Sequence, residues 1–370
     1  MAQSPTIAAI ERALSTVMEP ELHRDIVSLH MVKDIRCEGG AVSLKVVLTT
    51  PACPLTGRIE ADIRAALVDQ VPGVETVSVA WESDVTSASR GLPGRQEIPG
   101  VKNIVAVSAG KGGVGKTTVS VNVAIALAQA GARVGLLDAD IYGPNVPIMM
   151  GLHEQPQAGE SGKMLPLSAF GIEVVSFGTI LKPGQPVMWR GPMLAKAMRE
   201  FLYEVEWGPL DYLVIDLPPG TGDIQISLAQ SIPLTGAVIV TTPQDVSIAD
   251  VSRGIQMFAQ LRLPVLGVIE NMSGFICPHC GERTDVFGSG GGRELAEHSG
   301  LRFLGAIPLD PGVRIGGGEG QPLMVAAPTS LTGRIFRGVA ELIAAEVSKE
   351  NYAATGGPQM PSAPRIPVGG

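Results

Sequence analysis

Short apolar runs recur along the chain from about residue 101 onward. The segments NIVAVSA, RVGLLDAD, YLVIDLP, GAVIVTTP and VLGVIENM are largely apolar, which is typical of strands buried on both faces of a sheet. Longer stretches with helical periodicity, such as TTVSVNVAIALAQAG, lie between them. This alternation predicts an α/β fold, a parallel sheet covered by helices.

The first 82 residues show a different, mixed pattern. Apolar residues from Ile7 to Val17 recur at helical spacing, and the segments VKDIRCE and AVSLKVVL flank two glycines as in a β-hairpin. A second helix from about Thr56 to Val68 and a final strand, ETVSVAW, follow. The pattern predicts a small α+β domain.

Two segments lack either pattern and suggest the domain boundaries. Residues 83–100 are rich in Ser, Gly and Pro, as in a linker. Residues 351–370 are rich in Pro, Gly and Ala and are predicted to be a disordered tail. The expected organisation is therefore a small domain at 1–82, the linker, a larger domain at 101–350 and the tail.

The composition restricts the possible partners and the compartment. The formal net charge is −8 and the pI about 5.3, which argues against broad binding to nucleic acid or an anionic membrane. No apolar run approaches the ~18–20 residues of a membrane helix, and the first residues lack the features of a signal peptide. We expect a cytoplasmic protein with neither a nucleic-acid nor a membrane partner.

A glycine-rich loop follows the first strand of the larger domain. Gly110, Gly115, Lys116 and Thr117 match G-x-x-x-x-G-K-[ST], and the strand–loop–helix setting is the one that phosphate binding requires. Lys116 is expected to neutralise the β- and γ-phosphates of ATP, and Thr117 to ligate Mg²⁺. The predicted loop contacts are Gly110, Lys111, Gly112, Gly113, Val114, Gly115, Lys116, Thr117 and Thr118.

Carboxylates follow two of the predicted strands. Asp138 and Asp140 lie in LLDADIYGPN, and Asp216 ends LVID, where ligands bind at the carboxyl edge of a parallel sheet. We expect Asp216 to hold Mg²⁺ through water, Asp140 to orient the attacking water and Asp138 to support the metal shell. The roles of Asp138 and Asp140 are interchangeable at this stage, and capping of the strand ends is the structural alternative.

Two closely spaced cysteines, Cys277 and Cys280, lie in the segment CPHCG. They supply two thiolates, whereas zinc or an iron–sulfur cluster usually takes four ligands. A two-fold dimer would provide four. A redox dithiol and a zinc knuckle that includes His279 remain alternatives, and spacing alone does not separate zinc from iron.

The motifs together resemble those of known families. GKGGVGKT resembles the deviant P-loop of the nitrogenase iron protein, the septum-site ATPases and the chromosome-partition ATPases, which implies that Lys111 reaches the partner's nucleotide across a dimer. With DADIYGPN, DLPPGTGD, TTPQD and ENMSGFICPHCG, residues from about 100 to 345 resemble the Mrp/ApbC family of iron–sulfur cluster carrier ATPases. The segment before the linker, with TPACPLT, resembles a small domain of cluster-assembly proteins.

This resemblance carries a set of functional expectations. It implies a homodimer that binds a [4Fe–4S] cluster between the Cys277 and Cys280 pairs and delivers it to apo iron–sulfur proteins, with cluster-assembly scaffolds as partners. It implies that Asn271 contacts the purine, a buried structural Asn being the alternative, and that ATP hydrolysis is slow and switch-like. The competing functions are a scaffold for de novo cluster assembly and a zinc-binding ATPase of the positioning or partition type.

The other two cysteines lie in the first domain. Cys53 directly precedes a predicted helix, whose dipole would lower the thiol pKa, so it is a candidate for a transient cluster or thiol contact. An inert buried cysteine is the alternative. Cys37 lies in a predicted strand and carries no such argument.

Overall fold

A computed structural model describes residues 5–52, 55–87, 96–180, 191–277 and 279–355. The chain divides into two compact units, Met1–Thr86 and Ser87–Gly370. Each unit has a hydrophobic core of its own.

The first unit is built on a three-stranded sheet with the strand order β3-β4-β5. Strands β3 and β4 are antiparallel and form the predicted hairpin, whereas β4 and β5 are parallel. Alternate residues of β4, from Val42 to Leu48, are buried, because one face of the sheet meets the core that includes the two helices. The elements are α1 (Ile7–Leu14), β1 (Met18–Glu19), β2 (Arg24–Asp25), β3 (Val32–Glu38), β4 (Ala41–Leu48), α2 (Thr56–Gln70) and β5 (Thr76–Ser83).

The second unit contains a nine-stranded sheet within its described residues. Strand β14 pairs with β12, and the other strands follow the order β13-β12-β11-β6-β10-β7-β9-β8. All the pairings are parallel except those of β8 with β9 and of β12 with β13. The strands are β6 (Val101–Ala109), β7 (Val134–Asp138), β8 (Leu167–Ala169), β9 (Ile172–Ser176), β10 (Leu210–Asp216), β11 (Gly236–Thr241), β12 (Val265–Ile276), β13 (Arg283–Thr284) and β14 (Phe303–Leu309).

The five strands predicted in this unit are all present, and helices cover the sheet as expected. No helix among the described residues has both the length and the apolar character needed to cross a membrane. The helices are α3 (Lys116–Gln129), α4 (Val146–Met150), α5 (Phe177–Ile180), α6 (Gly191–Tyr203), α7 (Asp223–Ser231), α8 (Asp245–Gln260), α9 (Gly291–His298), α10 (Pro311–Gly318), α11 (Leu323–Ala326) and α12 (Leu331–Ala354).

The last helix extends beyond the point where disorder was predicted to begin. Asn351 lies inside α12, is buried, and donates through Nδ2 to Asn103 Oδ1 at 2.8 Å. It follows the buried Val347 by four residues, so both lie on the same helix face. The prediction of a disordered tail was therefore wrong for residues 351–354, and residues 356–370 lie outside the described part of the chain.

The carboxyl ends of the central strands form one row. Asp216 of β10 is in register with Asp138 of β7, which is in turn in register with Ser176 of β9. On the other side, Asp216 is in register with Val107 of β6, shortly before the glycine-rich loop. The strand-end acids and the loop therefore meet at the same edge of the sheet.

Candidate nucleotide pocket and cysteine turn

The glycine-rich loop connects β6 to α3, and its backbone depends on glycine. Gly113 and Gly115 have φ values of +81° and +80°, a region that residues with a Cβ rarely adopt. A Cβ on Gly110 would lie 2.6 Å from the carbonyl carbon of Asp250 in α8. The loop is therefore held in one shape that leaves its backbone N–H groups available to an anion at the start of α3.

Asn271 contacts this loop from β12. Its Nδ2 donates to the Val114 carbonyl at 2.8 Å, and a Cβ on Gly115 would collide with the same nitrogen. The side chain is 7% exposed. It has a structural contact with the loop, and it also lines the pocket in which the resemblance implies a purine contact.

Lys116 is a buried cation at the first position of α3. Its side chain is 6% exposed, and Nζ lies 2.8 Å from Asp216 Oδ2 and 3.9 Å from Asp140 Oδ2. The short contact to Asp216 is an ion pair that lies outside hydrogen-bond geometry, so Nζ has no hydrogen-bond acceptor among the described residues. A buried ammonium group with unused hydrogens fits phosphate oxygens as ligands.

Two hydroxyl groups of α3 converge on Asp216. Thr117 Oγ1 donates to Asp216 Oδ2 at 2.7 Å, and Ser120 Oγ donates to Oδ1 at 2.6 Å. Ser120 was not identified from the motif. Its position three residues after Thr117, on the same helix face, is the signal that could have identified it. Hydroxyl and carboxylate oxygens are ligands that suit Mg²⁺. The oxygens of Thr117, Ser120 and Asp216 therefore fit the metal ion that the loop motif implies.

Asp138 is fully buried and holds neighbouring backbone in place. It accepts from Ser176 Oγ at 2.8 Å and from the backbone N–H groups of Asp140 at 3.1 Å and Val146 at 3.3 Å. Burial raises the Asp138 pKa to about 7, and the charge of Asp216 adds to the increase. These contacts place Asp138 beneath the segment that leads from Asp140 to α4.

Asp140 is more accessible than Asp138 and lines the pocket. Burial raises its pKa, and the nearby positive charge of Lys116 opposes this increase. The carboxylate therefore lies beside the buried ammonium group, at the place where the γ-phosphate of a nucleotide bound to the loop is expected.

The pocket has a volume of about 500 Å³, within the range of roughly 300–1,000 Å³ of small-molecule sites. The loop, Asp140 and Asn271 line one part of it, and residues of α4, β14 and α10 line another. Lys111 lines the pocket, is partly exposed, and makes no hydrogen bond or ion pair with any described residue. The loop residues in the lining are Lys111, Gly112, Gly113, Gly115, Lys116, Thr117 and Thr118.

Cys277 and the described residues 279–281 of the CPHCG segment lie in a tight turn between β12 and β13. The Gly281 N–H donates to the Cys277 carbonyl and the Cys277 N–H to the Glu282 carbonyl, both at 2.9 Å. Cys277 is partly exposed and Cys280 is exposed. The backbone N–H of Cys280, aided by that of His279, lowers the pKa of the Cys277 thiol, which favours the thiolate that binds metal.

The turn offers two thiols and no complete site. Among the described residues, no group of three or more His, Cys, Asp and Glu side chains is arranged to hold a metal ion. Cys37 lies in β3 of the first unit and is partly buried. Cys53 lies outside the described residues.

The fold and the loop geometry define a P-loop nucleotide-binding protein. The family described as "NUBPL iron-transfer P-loop NTPase" matches residues 100–344, and that described as "Iron-sulfur cluster assembly protein" matches residues 7–79. The first match covers more than half of the chain. The chain therefore belongs to the family of iron-transfer P-loop NTPases, and the resemblance found in the sequence is confirmed.

Relatives agree with this assignment over almost the full length. An iron–sulfur cluster carrier protein of Synechocystis is 51% identical over 93% of this chain and 98% of its own length. The carrier protein of Escherichia coli is 38% identical over 92% of each chain.

Solved structures agree with the fold of the second unit. A nucleotide-binding protein from Archaeoglobus fulgidus, solved with ADP, is 40% identical, covers 60% of this chain and 88% of its own, and superposes with a TM-score of 0.54. The cell division ATPase MinD of Pyrococcus furiosus is 23% identical, covers 65% of this chain and 98% of its own, and has a TM-score of 0.51. This second likeness shows the fold alone.

Proposed function

We propose that the chain is an ATP-hydrolysing carrier that holds a [4Fe–4S] cluster between two copies of itself and transfers it to apo-proteins. The observation that carries the proposal is the turn with two accessible thiols, Cys277 and Cys280, that directly follows β12, a strand that also lines the nucleotide pocket. The relatives named as iron–sulfur cluster carrier proteins support it.

Ligand number is the reason for proposing a dimer. A [4Fe–4S] cluster takes four thiolates, and the turn of one chain supplies two. Two copies related by a two-fold axis bring two such turns together and complete the set. A cluster bound in this way is exposed at an interface, from which an acceptor protein can take it.

The residues around the loop have separate roles in nucleotide hydrolysis. Lys116 binds the β- and γ-phosphates, and Thr117 with Asp216 holds Mg²⁺, which neutralises phosphate charge when it is bound. Asp140 orients the attacking water. Asp138 keeps Asp140 in position through the N–H contact described above. Lys111, which makes no hydrogen bond or ion pair with the described residues, binds the nucleotide of the partner copy.

Strand β12 provides a connection between the two sites. Asn271 lines the pocket, and Cys277 directly follows the end of the strand, at a separation of roughly 20 Å along an extended chain. Between them the pairing with β14 shifts, because Asn271 pairs with Ile307 and Phe275 with Leu309. Three residues of β12 therefore face the single Pro308, whose nitrogen has no hydrogen to donate.

This irregular segment, Met272–Gly274, is a bulge with two left-handed residues. Met272 has φ +58° and Gly274 has φ +73°. A left-handed conformation is unusual for methionine, and Met272 also lines the pocket. We propose that nucleotide binding shifts this bulge and thereby the cysteine turn, so that slow hydrolysis acts as a switch for holding or releasing the cluster.

Anaerobic reconstitution tests the cluster assignment. The protein should take up iron and sulfide in equal amounts, about one cluster per dimer, and either Cys277→Ala or Cys280→Ala should abolish uptake because each removes two of the four ligands. Cys37→Ala is the matched control and should retain the cluster. Stoichiometric zinc with no iron uptake, or a full cluster on a monomer, would contradict the proposal.

A transfer experiment separates a carrier from an assembly scaffold. Protein loaded with a cluster is mixed with an apo [4Fe–4S] protein in the presence of an iron chelator. A carrier passes on an intact cluster, so the acceptor should become active despite the chelator. Activation that the chelator abolishes would favour assembly from free iron instead.

A further inference from the structure

Helix α10 presents one face to the nucleotide pocket. Asp310, Val313, Arg314 and Gly317 all line the cavity, and their spacing of three, four and seven residues places them on the same side of a helix. The neighbouring Ile315 is exposed outside the lining. The helix is therefore a wall of the pocket.

This wall is fixed in position at both ends. Asp310 caps the helix, because its Oδ1 accepts from the Gly312 N–H at 2.8 Å, and its Oδ2 accepts from Thr332 Oγ1 at 2.6 Å. At the other end, a Cβ on Gly317 would lie 3.1 Å from Met149 Cε of α4. Both oxygens of Asp310 are thus engaged, and Asp310 forms no ion pair with Arg314 one turn later.

Arg314 is the cation of this wall, and none of the described residues is its partner. It is exposed on the pocket side of α10, and its guanidinium group makes no hydrogen bond or ion pair within the described part of the chain. The rest of the lining near it is mainly apolar and comes from α4, β14 and α10. These apolar lining residues are Ile148, Met149, Ile307, Pro308, Leu309 and Val313.

We propose that Arg314 binds the nucleoside end of the nucleotide, and this inference rests on the proposed binding of ATP to the loop. The loop N–H groups and Lys116 suit the phosphates, whereas an apolar wall suits a planar base and not a phosphate. The guanidinium group has five donors and a flat face. It donates to acceptors of the base or ribose while the base packs against the apolar wall.

Competition binding on the cluster-free, full-length chain tests this assignment. A fluorescent ATP analogue is displaced by ATP, ADP or inorganic tripolyphosphate, which has the phosphates and no nucleoside. Arg314→Ala should weaken ATP and ADP binding roughly ten- to a hundredfold, the effect of losing a hydrogen bond to a charged group. The affinity of Arg314→Ala for tripolyphosphate should stay unchanged. In ATP hydrolysis, its KM should rise while its kcat is retained. Arg314→Lys should lose less ATP affinity than Arg314→Ala.

Arg337→Ala is the matched control, since Arg337 is an exposed arginine of α12 outside the pocket lining, and it should bind all three ligands normally. Unchanged ATP affinity in Arg314→Ala, or an equal loss for tripolyphosphate, would overturn the assignment. Loss of the fold in Arg314→Ala and Arg314→Gln alike would show a structural role and overturn it too. If the wild-type chain binds tripolyphosphate and no nucleotide, the proposed ATPase function fails, independently of Arg314.

Discussion

Replacement of Lys116 by alanine should affect the fold of the nucleotide-free protein as well as its catalysis. Lys116 is 6% exposed and forms ion pairs with Asp216 and Asp140. No other cation of the described residues forms an ion pair with these two carboxylates. The substitution therefore leaves buried negative charge uncompensated beside the fully buried Asp138.

The expected loss of stability is substantial. Removing one partner of a buried ion pair typically costs about 3–5 kcal/mol of the free energy of unfolding. For a unit of this size, such a loss lowers the melting temperature by on the order of 10 °C. Hydrolysis should also fall, by about 10²–10³-fold, because an electrostatic contact to the developing charge is lost.

The loss of stability should depend on pH. Burial raises the pKa of Asp138 to about 7 and also raises that of Asp140, and Lys116 counteracts both increases. When folding raises the pKa of an acid, its protonated form stabilises the folded state. This contribution is fully present at pH values below the pKa of the unfolded chain, 3.8, and is lost as the pH rises through the pKa of the folded state. Without Lys116 both pKa values rise further, so the variant should be weakened more at pH 8 than at pH 5.

Thermal unfolding by circular dichroism at pH 5 and pH 8, without nucleotide, measures this effect. Lys111→Ala is the matched control, because Lys111 lies in the same loop and makes no ion pair with the described residues. It should lose hydrolysis and keep its melting temperature. The reasoning is refuted if Lys116→Ala has the same melting temperature as the wild type at pH 8. It is also refuted if the difference in melting temperature from the wild type is larger at pH 5 than at pH 8.

Three further predictions concern the loop, the turn and the bulge. Gly115→Ala should abolish nucleotide binding in a fluorescence titration, since its Cβ would collide with Asn271 Nδ2; normal affinity would contradict this geometry. The alkylation rate of Cys277, followed by peptide mass spectrometry, should have its pH midpoint below the ordinary 9.0, since the N–H of Cys280 lowers the thiol pKa; a midpoint of 9 or higher would exclude this effect. Gly274→Ala places a Cβ 2.7 Å from Asp285 Oδ1. It should weaken cluster retention while ATP affinity stays the same. Cluster retention equal to that of the wild type would exclude a role for the bulge.

Much of the second unit was predictable because its signals are local in the sequence. A strand buried on both faces appears as a continuous apolar run, and the loop motif marks the turn that follows such a strand. Strands β8, β9, β13 and β14 were not among the five predicted strands, and β8 and β13 are too short for a recognisable pattern. The end of α12 was misjudged because the side chain that anchors it, Asn351, is polar and finds its partner, Asn103, far away in sequence.

The site was less predictable where it depends on contacts between distant elements. The motif indicated Lys116 and Thr117 but not Ser120, whose hydroxyl contacts Asp216 of the distant strand β10. Arg314 carries no motif of its own. Asp310 followed by Pro311 is a local signal for the start of α10. The packing of α10 against α4, which places Arg314 in the pocket lining, depends on contacts between elements that are distant in sequence.

The geometry of β12 limits how the two proposed sites can communicate within one chain. Up to Glu270, β12 lies between β11 and β14 and pairs with both, so a displacement there would disturb the sheet on two sides. Beyond the bulge, β12 carries the antiparallel pairing with β13 that holds the cysteine turn. The three residues Met272–Gly274 are the part of this path where the pairing with β14 is interrupted. If, as proposed, a movement that begins at the nucleotide reaches the thiols along this strand, it passes through these residues, where β12 lacks the pairing with β14.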